Sequence, residues 1–544
     1  MNESEEFDHK IMITLVREGN NPLRIGCGEG ELLLDALARH GIGINASCGK
    51  RGTCGKCKIK LLKGNLEITP FDEYNFTKEH LLLGYRLACK AHPKEEIVIR
   101  LGEEEEGFEV VTERVSDRIS KEEKAQRISE ERNTTSTGAS GYGIAIDLGT
   151  TTLALAFIDL ATGRVVDTYT GVNHQRSFGA DVISRMKQSN EGKLQELQEL
   201  IRHDLLVGIR QLLLQNDVEN HKLNKVAIAG NTTMGHLLLG YSCKTLGTFP
   251  FTPVDIREMH LEFPNVFHTE EYQAEVVILP GISVFVGGDI TAGLLVCDFD
   301  REKRVNLLVD LGTNGEMAIG NQDKILVTST AAGPAFEGGN ISCGVGGIPG
   351  AISEVEIEEG EITIKTIHNV PPVGICGTGI VELTSELLKE RIIDDTGLLR
   401  SDYFERGYQI GSNKEFPITY TQKDIREFQM AKAAIRAGVE VLIKEYGSSY
   451  LDIDKVYIAG GFGYKLNMEK ALHIGLLPRE LEGKIITIGN SSLEGAIRYL
   501  IDSIASDRAQ SILQAANEIH LAKNEEFNDL YISYMGFEQD EERI

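Results

Sequence analysis

A chain of 544 residues is too long for a single hydrophobic core and predicts several folding units. Hydrophobic residues make up 41% and charged residues 25%, with no stretch near the roughly 18 apolar residues of a membrane span, which argues against a disordered or membrane-embedded chain. The formal net charge of -26 repels phosphate backbones and anionic lipid, and no basic stripe with interleaved aromatics offsets it, so neither nucleic acid nor a membrane is expected as a partner.

The chain begins "MNESEEFDHK", acidic where a secretory signal carries a basic patch and an apolar run, so a cytoplasmic protein is expected. Residues 10–17, "KIMITLVR", alternate as a strand. "PLRIGCGEGELLLDALARHGI" then predicts a second short strand and an amphipathic helix with Leu32, Leu33, Leu34 and Leu37 turned inward. Beyond the loop "CGKRGTCGKC" come a strand "KCKIKLLKG", the segment "LLLGYRLACKAH" and a strand "EEIVIRL", closing an α+β unit over residues 1–102. Residues 103–140 are polar and acidic, with a capping box at Ser120 and Glu123 and a Ser/Thr/Gly-rich end, and read as a linker.

From Gly141 the chain is duplicated. "IAIDLGTTTLALAFIDL" (144–160) recurs as "LLVDLGTNGEMAIG" (307–320), "KVAIAGNTTMGHLLLG" (225–240) as "KVYIAGGFGYKL" (455–466), and "VVILPGISVFVGGDITAGLLV" as "IITIGNSSLEGAIRYLI". Three elements in the same order predict two α/β lobes of like topology facing one another, residues 141–300 and 301–544.

Nine cysteines in a reducing compartment read as free thiols or metal ligands. Cys27, Cys243, Cys297, Cys343 and Cys376 are scattered and read as small buried hydrophobes. Cys48, Cys54 and Cys57 form C-x5-C-x2-C, with Cys89 as a remote fourth thiolate. Three thiolates in a loop and one at a distance suit a [2Fe–2S] cluster of plant-type pattern with one extra residue, whereas structural zinc commonly takes two CxxC pairs. Gly49, Gly52 and Gly55 let the loop wrap such a group closely, while Lys50, Arg51 and Lys56 set positive charge beside it. Residues 9–102 resemble a [2Fe–2S] ferredoxin domain, with the first spacing nearer the adrenodoxin branch.

In the duplicated part, each Asp-Leu-Gly-Thr ends a strand and turns into another, offering backbone N–H groups and hydroxyls to phosphate. Gly149, Thr150, Thr151 and Thr152 form one candidate cradle, with Asp147 placed to hold Mg2+ through water; Gly312, Thr313 and Asn314 form the other, with Asp310 placed to orient an attacking water. Gly460, Gly461 and Gly463 of "AGGFG" let backbone lie flat against a planar ring. By the resemblance of these motifs to the actin, sugar kinase and Hsp70 superfamily of ATPases, "GGDITAG" (287–293) and "CGTGIVEL" (376–383) are expected where the lobes join; Asp289 and Glu316 read equally well as structural or as metal- and water-positioning groups. "FGADVISRM" (178–186) reads as a helix start with Asp181 as cap. Residues 141 to about 505 resemble the actin, sugar kinase and Hsp70 (ASKHA) superfamily of ATPases, which places phosphate at the two hairpins and adenosine at the glycine turn.

Taken together, a ferredoxin domain, a linker and a duplicated ATPase resemble the reductive activators of corrinoid proteins. That resemblance implies a [2Fe–2S] cluster, ATP and Mg2+ as cofactors, and ATP-dependent one-electron reduction of a Co(II) corrinoid to Co(I) for methyl transfer. It further implies a corrinoid protein as partner, a low-potential upstream electron donor and a homodimer. Members with a separate middle domain have it where this chain has only the short linker, and the tail "EEFNDLYISYMGFEQDEERI" lacks the [4Fe–4S] motifs that others carry there. The competing reading is a redox-regulated kinase or chaperone with a sensory cluster domain, because this scaffold hosts many functions; a plain electron carrier with a degenerate nucleotide lobe fits the intact Asp and Gly pairs less well.

Overall fold

The computed structural model describes residues 10–16, 22–40, 42, 44, 50, 52, 55–101, 141–413, 417–461 and 466–537. The linker with Ser120 and Glu123, as well as Cys48, Cys54, Gly49, Arg51 and Gly463, lies outside the described residues. The chain divides into two compact units, Met1–Glu106 with Asn173–Ile201, and Gly107–Val172 with Arg202–Ile544.

In the first unit the strands β1 (Lys10–Val16), β2 (Leu23–Gly28), β3 (Lys58–Lys63), β4 (Tyr85–Leu87) and β5 (Ile97–Leu101) form a sheet of order β2-β1-β5-β3-β4. β5 lies parallel to β1 and antiparallel to β3. Alternation turns Ile97, Ile99 and Leu101 inward with Ile13 and Leu15, and the helix Leu33–Arg39 covers them with Leu33, Leu34, Ala36 and Leu37. Each of the buried Leu and Ile side chains contributes about 1.5–3 kcal/mol of transfer free energy. Leu32 departs from expectation: it is the helix N-cap, with extended backbone, and is only part-buried. In the segment Asn173–Ile201 a helix runs from Val182 to Gln188, capped by Asp181, whose side chain accepts from Ser184 N at 2.7 Å.

The second unit contains two sheets built alike. The first has order β10-β11-β9-β6-β7-β8, from β6 (Tyr142–Leu148), β7 (Thr152–Asp159), β8 (Arg164–Val172), β9 (Leu223–Gly230), β10 (Met259–Glu262) and β11 (Glu275–Ile278). The second begins with β12 (Val305–Leu311), β13 (Gly315–Asn321) and β14 (Lys324–Thr330). A small sheet of β15 (Ala351–Glu358), β16 (Glu361–Thr366) and β17 (Gly374–Ile375) and a hairpin of β18 (Tyr408–Ser412) and β19 (Pro417–Tyr420) follow before β20 (Ile453–Ala459), β21 (Ile485–Gly489) and β22 (Ala516–Glu518) complete it in the order β21-β20-β12-β13-β14-β22. In both sheets an antiparallel hairpin (β6–β7, β12–β13) is flanked by two parallel strands (β9 and β11, β20 and β21). This is the two-lobed α/β fold that the repeated motifs predict.

One hydrophobic core joins the sheets. It combines Ala145, Ala156, Ala227 and Val277 of the first with Leu308, Ala318 and Val327 of the second, and between them lie the helices Gly288–Val296 and Ser491–Ile501. These helices approach so closely that a Cβ on Gly495 would stand 2.4 Å from Ala292 Cβ. "GGDITAG" thus opens a helix at the lobe joint, as expected. "CGTGIVEL" does not: its helix, Gly377–Lys389, packs on β15 and on the helix Met468–His473, because β17 just before it pairs with β15 and carries the segment to the small sheet.

Candidate functional site

In the first unit, Cys57 immediately precedes β3 and Cys89 lies two residues beyond β4. Lys58 pairs with Leu87, and Ala88 N donates to Cys57 O at 2.8 Å, so strand register brings the two cysteines to the same end of the sheet. Both are buried, and neither forms a disulfide. Ahead of Cys57, Gly52 O accepts from Asn75 Nδ2 at 2.8 Å, and beside it Lys90 Nζ lies 4.4 Å from the centre of the Phe71 ring. Gly52 has φ +81°, and a Cβ there would stand 2.7 Å from Lys90 Cε and 2.8 Å from Phe71 Cδ1. Two sheltered thiols, and a glycine at position 52 with no room for a side chain, fit a [2Fe–2S] group wrapped by backbone. Cys27, Cys243, Cys297 and Cys376 are buried as expected, whereas Cys343 is only part-buried. Burial, with Glu31 next to it, pushes the Cys27 thiol up to about 12, so it stays protonated and inert.

In the second unit the two hairpin turns meet. Thr151 Oγ1 and Thr313 Oγ1 stand 3.4 Å apart, and both donate to one oxygen of Glu337, at 2.9 and 2.7 Å. Thr150 Oγ1 accepts from Asn231 Nδ2 at 2.9 Å, while Asn231 caps the helix Thr232–Leu239 that follows β9. A Cβ on Gly149 would lie 2.4 Å from Thr152 O, so only glycine closes the first turn without displacing backbone.

Asp147, at the end of β6, accepts from Asn490 Nδ2 at 2.8 Å and Ser492 Oγ at 2.7 Å, both from the junction after β21. Burial raises its pKa, and these two donors oppose the shift. Asp310 is pushed up to about 8, first by burial and then by the charges of Asp289, Asp147 and Glu337. Asp289 rises to about 7 through burial and then Asp147, although Ile290 N, donating to it at 2.9 Å, opposes the shift. Glu316, paired with Asp310 across β12–β13, rises well above the carboxylate range through burial, then Asp289 and Asp310. Mutual repulsion of this kind is relieved by a cation. Among the described residues no three such side chains are grouped to hold a metal ion by themselves, so a cation here would draw further ligands from phosphate and water.

Gly460, with φ +95°, follows β20, and a Cβ there would lie 2.5 Å from Leu311 O and 2.9 Å from Asp310 Oδ1, which sets the glycine turn against the second hairpin. Gly461 is exposed beside it. The structure therefore brings together Asp147, Thr150, Thr151, Asp310, Thr313 and Gly460. Sequence reasoning missed Glu337, Asn231, Asn490 and Ser492. Of these, Asn231 carried a signal, as an Asn directly after an apolar strand and before a helical run.

Residues 17–94 match the 2Fe-2S iron-sulfur cluster binding domain, 142–302 the RACo middle region, and 304–544 the C-terminal domain of RACo, the ASKHA domain; the expectation that only the short linker stands in place of a middle part is thus corrected, since a middle region follows that linker. The corrinoid activation enzyme RamQ of Eubacterium limosum is 35% identical over 419 residues, covering 72% of this chain and 69% of that protein. The chain belongs to the reductive activators of corrinoid proteins. Another member of that family, the [Co(II) methylated amine-specific corrinoid protein] reductase of Methanosarcina barkeri, is 28% identical over 432 residues, 73% of this chain and 77% of that one. The solved structure titled reductive activator for corrinoid,iron-sulfur protein superposes with a TM-score of 0.69 at 28% identity, covering 97% of this chain and 98% of its own. Among the described residues no helix is long and apolar enough to cross a membrane.

Proposed function

We propose that this activator uses ATP to drive one-electron reduction of a Co(II) corrinoid, carried by a partner protein, to the Co(I) state that accepts methyl groups. The observation that carries the reading is the joining, on one polypeptide, of a ferredoxin sheet that shelters Cys57 and Cys89 with a two-lobed unit whose phosphate hairpins meet at Thr151 and Thr313. The proposed organisation is a cluster domain at 1–102, a linker at 103–140, and lobes at 141–300 and 301–544.

Cys48, Cys54, Cys57 and Cys89 would hold the [2Fe–2S] group, which when bound supplies one electron at a time at a potential near about -400 mV. Gly149, Thr150, Thr151 and Thr152 and, across from them, Gly312, Thr313 and Asn314 would cradle the ATP phosphates with backbone N–H donors, while the hydroxyls of Thr151 and Thr313 are given to Glu337. Asp147 would hold Mg2+ through water, Asp310 would help orient water at the terminal phosphate, and Gly460, Gly461 and Gly463 would line the adenosine site. A one-electron acceptor with a potential 59 mV too low is reduced about tenfold less at equilibrium. Closure of the lobes on ATP changes the surface offered to the corrinoid protein and so favours the reduced acceptor. The protein works in the cytoplasm as a homodimer fed by a low-potential donor.

Anaerobic single-turnover reduction of a Co(II) corrinoid protein, followed by its visible spectrum with and without Mg-ATP, tests the reading. ATP is expected to raise the Co(I) yield at least about tenfold, equivalent to about 59 mV. Equal yields with and without ATP would refute it.

A further inference from the structure

A single carboxylate stands where the two hairpins meet. Glu337 ends the short 3-10 turn Pro334–Glu337 between β14 and β15. Its Oε2 is occupied by the hydroxyls of Thr151 and Thr313, one from each lobe, at 2.9 and 2.7 Å. Its Oε1 faces the second phosphate turn, because a Cβ on Gly312 would lie 3.8 Å from it and would otherwise meet only Asn314 O, at 3.6 Å. The side of Gly312 where a Cβ would stand is thus bounded within 4 Å by this carboxylate oxygen and Asn314 O.

The turn is rigidly seated. Gly333 N donates to Thr313 O at 3.0 Å, and Gly339 N to Pro334 O at 2.7 Å. Phe336 is buried edge-on against Phe428 of the helix Gln422–Tyr446, with 5.8 Å between ring centres. A Cβ on Gly338, which has φ +74°, would stand 2.3 Å from Val345 O. Glu337 thus moves with the second lobe, and its bond to Thr151 forms only when the first lobe is in place. Asp310 differs: its Oδ1 lies toward Gly460, where a Cβ would come within 2.9 Å, on the side of the glycine turn.

Building on the ATPase reading above, we propose that Glu337 is the proton acceptor for the water that cleaves ATP, held in position by Thr151 and Thr313. The water oxygen forms a bond to the terminal phosphorus while the bond from that phosphorus to the bridging oxygen breaks. The electron pair of the broken bond leaves with ADP, one water proton passes to Glu337 Oε1 and from there to solvent, and nothing is oxidised or reduced. An acceptor must combine reach with a fixed orientation, and general-base catalysis contributes about 10²–10⁴-fold. Two hydroxyls clamping Oε2 leave Oε1, on the side of Gly312, to take the proton.

The test is Glu337→Gln in the full-length protein, measuring Mg-ATP binding by equilibrium dialysis and steady-state phosphate release at saturating ATP. Glutamine preserves the acceptor for both threonines and removes only the proton-accepting charge. The expected result is ATP binding as tight as wild type or tighter, with hydrolysis slowed at least about 100-fold, and partial recovery in Glu337→Asp. Hydrolysis by Glu337→Gln within threefold of wild type would overturn the proposal; combined with tighter binding, it would mean that Glu337 merely fills the phosphate position. Loss of ATP binding along with hydrolysis in both variants would overturn it in favour of a structural role. A wild-type protein that does not hydrolyse ATP would overturn this proposal together with the reading it rests on, whereas an active Glu337→Gln overturns this one alone.

Discussion

The joint between the lobes makes the same substitution carry opposite signs at two glycines. Gly495 lies in the helix Ser491–Ile501, and a Cβ there would meet Ala292 Cβ at 2.4 Å, Ala292 Cα at 2.6 Å and Ala292 O at 2.8 Å. Ordinary carbon contacts lie at about 3.5–4.0 Å, so Gly495→Ala must move the two helices apart by roughly 1 Å. Two of the three atoms met are backbone, so no side chain can swing away, and such overpacking costs about 1–3 kcal/mol. Gly235, in the helix Thr232–Leu239 of the same unit, has nothing within 4 Å of its Cβ position. Both substitutions gain about 0.8–1 kcal/mol of helix propensity, so that gain cancels in their difference. Gly235→Ala is expected to stabilise by about 0.5–1 kcal/mol, and Gly495→Ala to be the less stable of the two by about 1–3 kcal/mol. Urea unfolding of both variants, compared by midpoint at constant m on one transition, reads that gap directly. Equal or higher stability for Gly495→Ala would show that the helices are not in contact there, and with it would fall the account of the lobe joint.

Cys57→Ser and Cys89→Ser should each leave less than about a tenth of the wild-type iron with loss of the visible absorbance, since a [2Fe–2S] group needs four thiolates; unchanged iron in either variant would remove that cysteine from the ligand set. Replacing Asn490 and Ser492 by Ala deprives Asp147 of both hydrogen-bond donors, at a cost of about 1–3 kcal/mol and weaker Mg-ATP binding; calorimetry showing unaltered binding would separate Asp147 from the nucleotide. His260 is hydrogen-bonded to Glu275 at 2.6 Å and Glu258 at 2.8 Å, and these partners raise its pKa above 6.5. Its contribution is therefore full below about pH 6.5 and lost as pH rises through the raised value, and for a half-exposed ring it is worth at most about 1 kcal/mol. Wild type should exceed His260→Gln in stability at pH 6 and match it at pH 9; an equal gap at both would mean that packing, not charge, is responsible.

Much of this was legible because the signals were local or repeated. Each hairpin turn announces itself as an apolar strand ending in Asp-Leu-Gly-Thr, and the second copy makes chance occurrence a poor explanation. Cys57 and Cys89 were legible as a spacing, which strand register then brings together. Leu32 was misplaced because three successive leucines do not show which of them begins the helix, and the extended cap conformation took the first. The resemblance to the ASKHA superfamily puts the helix after Cys376 at the lobe joint, but the pairing of β17 with β15 that carries it to the small sheet is long-range and leaves no local trace. Glu337 was invisible for a related reason. It lies in "AAGPAFEGGN", a glycine-rich irregular stretch without periodicity, and its meaning comes from Thr151, 186 residues away.

The clasp of Asn490 and Ser492 on Asp147 bears on how this molecule could be divided. The acid belongs to the sheet that begins the duplicated part, and its hydrogen-bond donors to the one that ends it, 343 residues later in one case. Severing the chain near Arg301 would therefore yield two pieces of which each owns one of the two hairpin turns and neither owns the whole site. Reassembly of such fragments from solution should restore nucleotide cleavage in proportion to complex formed, making enzymatic output a direct gauge of how firmly the halves embrace.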